Sequence, residues 1–227
     1  MLAVELVLDR DARIAALRLA PRTPLAPDPA AGHRPQNRLR LPLLGTWWVV
    51  WGGPDERRNY HVLSADQRHA YDLVRWRRGA THRGSGARNP HYYAWNRRVV
   101  APAPGVVVEA RDGVRDNRPG RERENAADPA GNHVLLDLGR GEYALLAHLR
   151  RGTVRVRVGD RVRAGRAVGR VGNSGNSSEP HLHFHLQDSP RLLEGIGLPV
   201  RFRRIVVDGR ARPRATPEQA QFVAPAP

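Results

Sequence analysis

Residues 172–186 read G-N-S-G-N-S-S-E-P-H-L-H-F-H-L, and this stretch decides the fold. Its first half is rich in Gly, Asn and Ser, which is typical of a loop that leads into a strand. In the second half polar and apolar residues alternate, so the imidazoles of His181, His183 and His185 share one face of a strand. Neutral imidazoles bind divalent ions, zinc above all. The pattern therefore predicts either a metal site on this strand or a sheet face that is merely rich in histidine.

Short apolar runs separated by turn residues surround this stretch. Residues 41–53 have the β-branched and tryptophan content of a strand that ends in a glycine turn. Two alternating runs, 133–138 and 142–149, are joined by Gly-Arg-Gly, which is a hairpin signal. Residues 79–95 and 111–131 are polar and irregular. The pattern predicts an all-β protein, with an antiparallel β-sandwich or barrel-like scaffold and long loop insertions.

A proline-rich segment near the N-terminus marks a domain boundary near residue 40. No convincing amphipathic helix is visible after that boundary, which agrees with one β domain. We expect an N-terminal segment with a proline-rich linker over residues 1–40, a β domain over 41–210 and a flexible C-terminal tail over 211–227.

The charge of the chain limits its partners. Its 227 residues include 38 Lys and Arg, every one an arginine, against 22 Asp and Glu, for a formal net charge of +16. Arginine pairs bidentately with phosphate and carboxylate, so an anionic cell-wall polymer is a candidate partner. The arginines are spread along the chain rather than clustered with aromatic residues, which argues against a specific nucleic-acid site.

The sequence carries no visible signal for export or membrane insertion. Charged residues interrupt the first 19 positions, so no secretory signal is visible. No apolar run is long enough to span a bilayer, and no transmembrane segment is expected. The chain has no cysteine, which excludes disulfides and thiolate sites.

A second candidate for metal binding lies earlier in the chain. N-Y-H-V at 59–62 and R-H-A-Y-D-L-V at 68–74 have the character of two arms of a hairpin. In such a hairpin His61 and Asp72 face each other with Cβ atoms roughly 5 Å apart, which suits two ligands of one ion. His69 is three residues from Asp72 and would point to the opposite face of a regular strand.

The succession of motifs resembles a known family. V-x-V-G-D-x-V-x-x-G-x-x-x-G-x-V-G-N-S-G at 156–175 is followed by P-H-L-H-F at 180–184, and preceded by A-H-L at 147–149 and by Asp72. This order and spacing resemble the lysostaphin-type zinc metallopeptidases, also called LytM-type or β-lytic, over about residues 45–207. The resemblance implies their duplicated-hybrid-motif fold.

The resemblance also implies roles for particular residues. His183, the second histidine of H-x-H, and Asp72 match zinc ligands of the family. His181 and His148 match its catalytic pair. The family supplies its remaining ligand as H-x-x-x-D, but here Arg68 stands four residues before the aspartate.

Two histidines are candidates for the missing ligand. The hairpin geometry favours His61, because it can lie opposite Asp72 in a regular strand. His69 is the alternative and would need a β-bulge to reach the metal. His185 is expected to support the site or to lie on the sheet surface rather than to bind zinc.

These residue types permit peptide hydrolysis. Zinc (Zn2+) held by two imidazoles and one carboxylate lowers the pKa of a bound water toward ~7 and polarises a carbonyl. Histidines free of the metal, here His148 and His181, can take the water's proton and stabilise the oxyanion.

Two functions from different classes follow from the resemblance. The first is a zinc-dependent metalloendopeptidase that cuts peptide bonds of peptidoglycan cross-links or stem peptides, or of another peptide substrate, at the cell envelope or outside the cell. We expect it to be a monomer. The alternative is a catalytically inactive binding or regulatory module on the same β scaffold, which the missing H-x-x-x-D histidine favours.

Overall fold

A computed structural model describes most of the chain: residues 2–8, 14–21, 26–121, 127–192 and 194–227. Parts of the predicted N-terminal segment and of the second loop insertion lie outside these residues, namely 1, 9–13, 22–25 and 122–126. Across the described ranges the regular structure consists of strands and three short 3-10 helices. The all-β prediction is therefore confirmed. None of the helices in these ranges is long and apolar enough to cross a membrane.

The elements of the described residues follow one another along the chain in this order: β1 (Leu2–Leu8), β2 (Ile14–Pro21), β3 (Trp47–Trp51), η1 (Tyr60–Leu63), η2 (Ala65–Gln67), β4 (Tyr71–Val74), η3 (Asn89–His91), β5 (Arg98–Val100), β6 (Gly105–Arg111), β7 (Asn132–Asp137), β8 (Tyr143–Leu149), β9 (Arg161–Val162), β10 (Ala167–Arg170), β11 (Leu182–Gln187), β12 (Gly197–Leu198), β13 (Phe202–Val207), β14 (Arg210–Ala215) and β15 (Phe222–Pro225). The η labels mark 3-10 helices.

One large antiparallel sheet dominates the fold. Its strands lie in the order β14-β13-β15-β3-β4-β11-β8-β7-β6-β9, and β12 pairs with β11 beside this path. Two small antiparallel pairs, β1 with β2 and β5 with β10, stand apart from it. Val99 and Val168 of the second pair are buried in the same core as the large sheet, which gives a sandwich-like layer. The large sheet does not close on itself in the described residues, so the predicted β scaffold is an open one.

The core fixes the register of β11, the central strand of the site. Leu182, Phe184 and Leu186 are fully buried and pack in one cluster with Leu73 of β4 and Leu146 of β8. Burial of such a side chain is worth about 1.5–3 kcal/mol, and a slip by one residue would move all three of these β11 side chains out of the main core to the other face of the sheet. The residues between them, the histidines, are therefore held on the other face of the sheet.

The predicted hairpin between His61 and Asp72 is wrong. His61 lies in η1, and the strand that contains Asp72, β4, pairs with β3 and β11 instead. The reason is local: the side chain of Asn59 accepts a hydrogen bond from the backbone N–H of His61 and caps the 3-10 turn. Asn side chains compete in this way with strand pairing.

The C-terminal residues are part of the sheet. β14 pairs with β13, and β15 lies between β13 and β3, with Phe222 opposite Trp48. Val223 is buried in the core. The prediction of a flexible tail over residues 211–227 is therefore wrong.

The proline-rich segment contacts the β domain. Ala30 and Leu39 are buried in the main core. Glu142, fully buried after β7, accepts hydrogen bonds from the ring of His33 (2.9 Å) and from two backbone N–H groups of the same segment. The domain boundary near residue 40 stays a prediction, but the segment before it is fixed to the scaffold at these points.

Candidate metal centre

Three side chains from three elements meet in a buried cluster. His61 of η1, Asp72 of β4 and His183 of β11 each offer a ligand atom, and these atoms lie within 4.8 Å of one another. Nδ1 of His183 is 2.9 Å from one carboxylate oxygen of Asp72, and Nε2 of His61 is 3.5 Å from the other. The three are the residues that the sequence analysis named as metal ligands.

Strand pairing sets the positions of Asp72 and His183. Asp72 and His183 are direct partners in the antiparallel pair of β4 and β11, so their side chains point to the same face. Trp51 of β3 stands opposite Asp72 on the other side. The centre therefore lies on the face of the large sheet that is turned away from the core.

The position of His61 is set by Asn59. Its amide nitrogen lies within hydrogen-bond distance of three backbone carbonyls, at 3.1 to 3.3 Å, so its oxygen must face His61. Nδ1 of His61 donates to that oxygen at 2.7 Å. The proton of the ring is then on Nδ1, and Nε2 presents its lone pair toward Asp72. This Nε2 atom is buried and has no hydrogen-bond partner among the described residues.

The charges of the cluster suit a cation. Burial would raise the pKa of Asp72, but the neighbouring His61 and His181 outweigh it and hold the pKa well below its usual range. Burial lowers the pKa of His61 to about 4, against the opposing effect of Asp72. At neutral pH the cluster therefore offers one carboxylate and a neutral imidazole, the forms that bind metal.

The donor set fits zinc. Two imidazoles and one carboxylate are a usual ligand set of catalytic zinc, which leaves a fourth position for water or substrate. The buried, unpaired Nε2 of His61 is the observation that favours an ion, because an unpaired buried polar atom costs about 1–3 kcal/mol. Calcium and magnesium prefer oxygen ligands and fit this set poorly.

Two further histidines border the cluster. The rings of His148 and His181 have centroids 4.7 Å apart, and Nε2 of His181 is 3.6 Å from Asp72. Each donates its Nδ1–H to a backbone carbonyl at 2.8 Å, that of Ser174 for His148 and that of Glu179 for His181. In both rings this leaves Nε2 as the atom available for chemistry.

The environments of His148 and His181 separate their proton affinities. Burial lowers the pKa of His148 well below its usual value. Burial also acts to lower the pKa of His181, but Asp72 outweighs it and the pKa is raised. Pairs whose pKa values are pushed apart are typical of a base and an acid that work together.

Part of the chain matches a known protein family. Residues 82–193 match the model of peptidase family M23. Over this segment the chain is similar to the M23 peptidases. The match confirms the family resemblance seen in the sequence; it includes His148, His181 and His183 and begins after His61 and Asp72.

Several solved structures are similar to this chain at low identity. The catalytic domain of a mutant of EnpA, a prophage-encoded M23 protein from Enterococcus faecalis, is 22% identical and has a TM-score of 0.40, with 67% of this chain and 88% of that chain covered. Lysostaphin from Staphylococcus simulans is 22% identical at a TM-score of 0.38, with 62% of this chain and 42% of that chain covered. A putative glycyl-glycine endopeptidase LytM from Ruminococcus gnavus is 18% identical at 0.44, with 72% and 57% covered.

The other histidines near the cluster have different partners. Nε2 of His69, the alternative ligand of the sequence analysis, is 2.9 Å from a carboxylate oxygen of Asp28 and is not part of the cluster. His185 is buried directly behind His183, with its Nδ1 2.9 Å from Nε2 of that ring. The sequence analysis missed Asn59. Its signal was the position two residues before His61, where an Asn caps a turn.

A groove extends from the cluster of His61, Asp72 and His183 over β8, β7 and β6. Its floor includes the apolar side chains of Leu145 and Ala147, and Tyr60 forms part of its rim next to His61. The far end carries an ion pair of Arg111 with Asp128 and a hydrogen bond between His133 and Glu109. The second loop insertion, through residues 128–131, therefore lines the groove.

Proposed function

We propose that this protein is a zinc-dependent metalloendopeptidase, with His61, Asp72 and His183 as the zinc ligands. The observation that carries the proposal is the convergence of two imidazole nitrogens and one carboxylate, one of the nitrogens being buried and unpaired. Zinc in such a site polarises a carbonyl and lowers the pKa of a bound water. Family M23 is a peptidase family, which supports peptide hydrolysis as the reaction.

The chain's own histidines supply the proton transfers in this proposal. His148, kept neutral by burial, accepts a proton at Nε2 as the general base. His181 holds a proton more readily and donates a hydrogen bond from Nε2 to the oxyanion. The backbone carbonyls that bind their Nδ1–H groups keep both rings oriented.

The substrate that we propose is a peptide of bacterial peptidoglycan, in cross-links or stem peptides. The groove beside the site accommodates an extended chain, and its apolar floor suits small aliphatic side chains. The net charge of +16 favours an anionic cell-wall polymer as the surrounding material. A place in the cell envelope or outside the cell agrees with such a substrate.

The test begins with metal content. We expect about one zinc per chain in protein purified without chelator, from the single tetrahedral site. His183→Ala should lose the metal, whereas His69→Ala should retain it, because His69 is bonded to Asp28. Purified peptidoglycan incubated with the wild type should release peptide fragments identified by mass spectrometry, and a chelator should stop the release. Metal-free wild type would refute the proposal.

The second candidate is an inactive binding module on the same scaffold. The observation that favours it is Arg68, which stands where the family's H-x-x-x-D histidine is expected. Zinc-loaded protein that retains peptidoglycan in a pull-down but releases no fragment would support this function over hydrolysis.

A further inference from the structure

Three side chains behind the centre form a hydrogen-bonded row along β11. His183, His185 and Gln187 occupy alternate positions of the strand and so lie side by side on one face. Nε2 of His183 is 2.9 Å from Nδ1 of His185, and Nε2 of His185 is 2.8 Å from Oε1 of Gln187. All three residues are buried, with Gln187 fully so. The hydrogen positions of the two rings can be derived from the two ends of this row, Gln187 and His183.

The amide of Gln187 has one allowed orientation. Its nitrogen donates to the backbone carbonyls of Ser189 at 2.7 Å and Arg191 at 2.8 Å. A flipped amide would place its oxygen against both carbonyl oxygens, two repulsive contacts in a buried site. Oε1 of Gln187 therefore faces His185 and can only accept.

The orientation of Gln187 fixes the proton of His185. Because Oε1 accepts, Nε2 of His185 must carry the hydrogen. At the other end of the row, Nδ1 of His183 is the ring atom turned toward Asp72, 2.9 Å away. A nitrogen that binds a metal needs its lone pair, so the ring hydrogen of His183 belongs on Nε2. Nε2 then donates to Nδ1 of His185, and the hydrogen positions set from the two ends of the row agree.

We propose that His185 and Gln187 are positioning residues that hold His183 in the Nε2–H tautomer, with the Nδ1 lone pair turned toward the metal. The inference rests on the proposed zinc site. The backbone turn after β11, through the carbonyls of Ser189 and Arg191, thereby sets the proton of a ligand three side chains away. Neither His185 nor Gln187 touches the metal position.

The effect is measurable as zinc affinity. Partners that orient a metal-bound histidine typically contribute about 10- to 100-fold in affinity. We expect Gln187→Leu and His185→Phe each to weaken zinc binding within this range, measured by competition with a chromophoric chelator. His133→Phe is the matched control: His133 is buried on the same face, two strands away, but its ring bonds go to Gly131 and Glu109. Its zinc affinity should equal that of the wild type.

The tautomer itself is visible by nitrogen-15 NMR of the imidazoles. In the zinc-loaded wild type we expect the Nε2–H form for both His183 and His185, and in zinc-loaded Gln187→Leu a mixture of tautomers at His185. A purely structural role of Gln187 would leave the tautomers unchanged. This measurement on the wild type stands even if a variant fails to fold.

The outcomes separate this inference from the proposed function. An Nδ1–H tautomer of His183 or of His185 in the zinc-loaded wild type overturns the inference, as does wild-type zinc affinity in both variants. A wild type that binds no zinc overturns the proposed function, whatever its tautomers. Weakened zinc binding in both variants, with an unchanged control, supports the inference.

Discussion

Asn59 is the residue whose removal best tests how the centre is built. In Asn59→Ala the ring of His61 loses the acceptor for its Nδ1–H, and η1 loses its cap. The freed ring can rotate or exchange its tautomer, and Nε2 is no longer held toward Asp72. We therefore expect both a less stable protein and a weaker metal site.

The magnitudes follow from the contacts. Loss of an Asn cap costs about 1 kcal/mol. The amide also serves three buried or half-buried carbonyls, one at 3.1 Å and two at 3.3 Å, and a typical hydrogen bond contributes about 1 kcal/mol. With the long bonds counted at the low end, the free energy of unfolding should fall by about 2–4 kcal/mol. Zinc affinity should fall about 10- to 100-fold, as for other residues that orient a ligand.

The assay pairs urea unfolding of the metal-free protein with zinc titration of the folded protein. Ser64→Ala is the control, because its hydroxyl bonds to Asp66 at the other end of η1 and not to His61. We expect it to retain zinc affinity. Asn59→Ala with wild-type zinc affinity would refute the view that this side chain orients His61, even if the protein were destabilised.

Three further predictions concern other parts of the site and scaffold. His148→Ala should lower kcat by about 10²- to 10⁴-fold with zinc content unchanged, since a general base contributes this much; loss of zinc would contradict its role. Gly172→Ala should lower the free energy of unfolding, measured with urea, by about 1–3 kcal/mol, because a Cβ there would lie 2.3 Å from backbone atoms of Arg150. Gly32→Ala is the control, since a Cβ at that position meets nothing within 4 Å. The pKa of Glu142 is lowered in the folded protein, because its hydrogen bonds outweigh the opposing effect of burial. Ionised Glu142 should therefore stabilise the fold at neutral pH, and this stabilisation should be lost as pH falls below 4.5 toward the folded pKa. Glu142→Gln should flatten this part of the stability profile measured by urea unfolding.

The β11 strand could be predicted because its signal is local and periodic. Alternation of histidine with Leu and Phe placed the core face and the site face correctly, and the buried run Leu182, Phe184 and Leu186 fixes the register. The hairpin of β7 and β8 follows from the Gly-Arg-Gly turn in the same way. These elements need no knowledge of distant residues.

The parts that were missed depend on single side chains or on distant partners. The 3-10 turn of His61 exists because Asn59 caps it, a bond that periodicity does not register. β14 reads R-A-R-P-R-A and is mostly exposed, and none of its residues is β-branched, aromatic or a large aliphatic side chain. Such a sequence is tolerated at an edge, where proline does little harm, so only the pairing with β13 reveals it as a strand.

His148 shows how the scaffold turns a strand residue toward the centre. It lies in β8 close to a register shift between β7 and β8, and its φ of +59° is in the left-handed region, which is uncommon for a residue other than glycine. A bulge of this kind re-aims a side chain, and here the ring comes to lie beside His181 and His183. A regular strand would send residue 148 to the face opposite Ala147. The strained backbone is held by hydrogen bonds from its N–H to Ala130 and from Gly172 to its carbonyl.

A common rule governs the imidazoles around the centre. One nitrogen of each ring is hydrogen-bonded to a fixed group of the scaffold, and the other nitrogen is turned toward the cluster. The bonds that do this are His61 to Asn59, His148 to Ser174, His181 to Glu179 and His183 to His185. Since these partners are backbone carbonyls or buried side chains with bonds of their own, the rings are oriented before any ion arrives. Under the proposed function, metal binding then costs little reorganisation, and the lone pairs and the two catalytic histidines are oriented in advance for peptide hydrolysis.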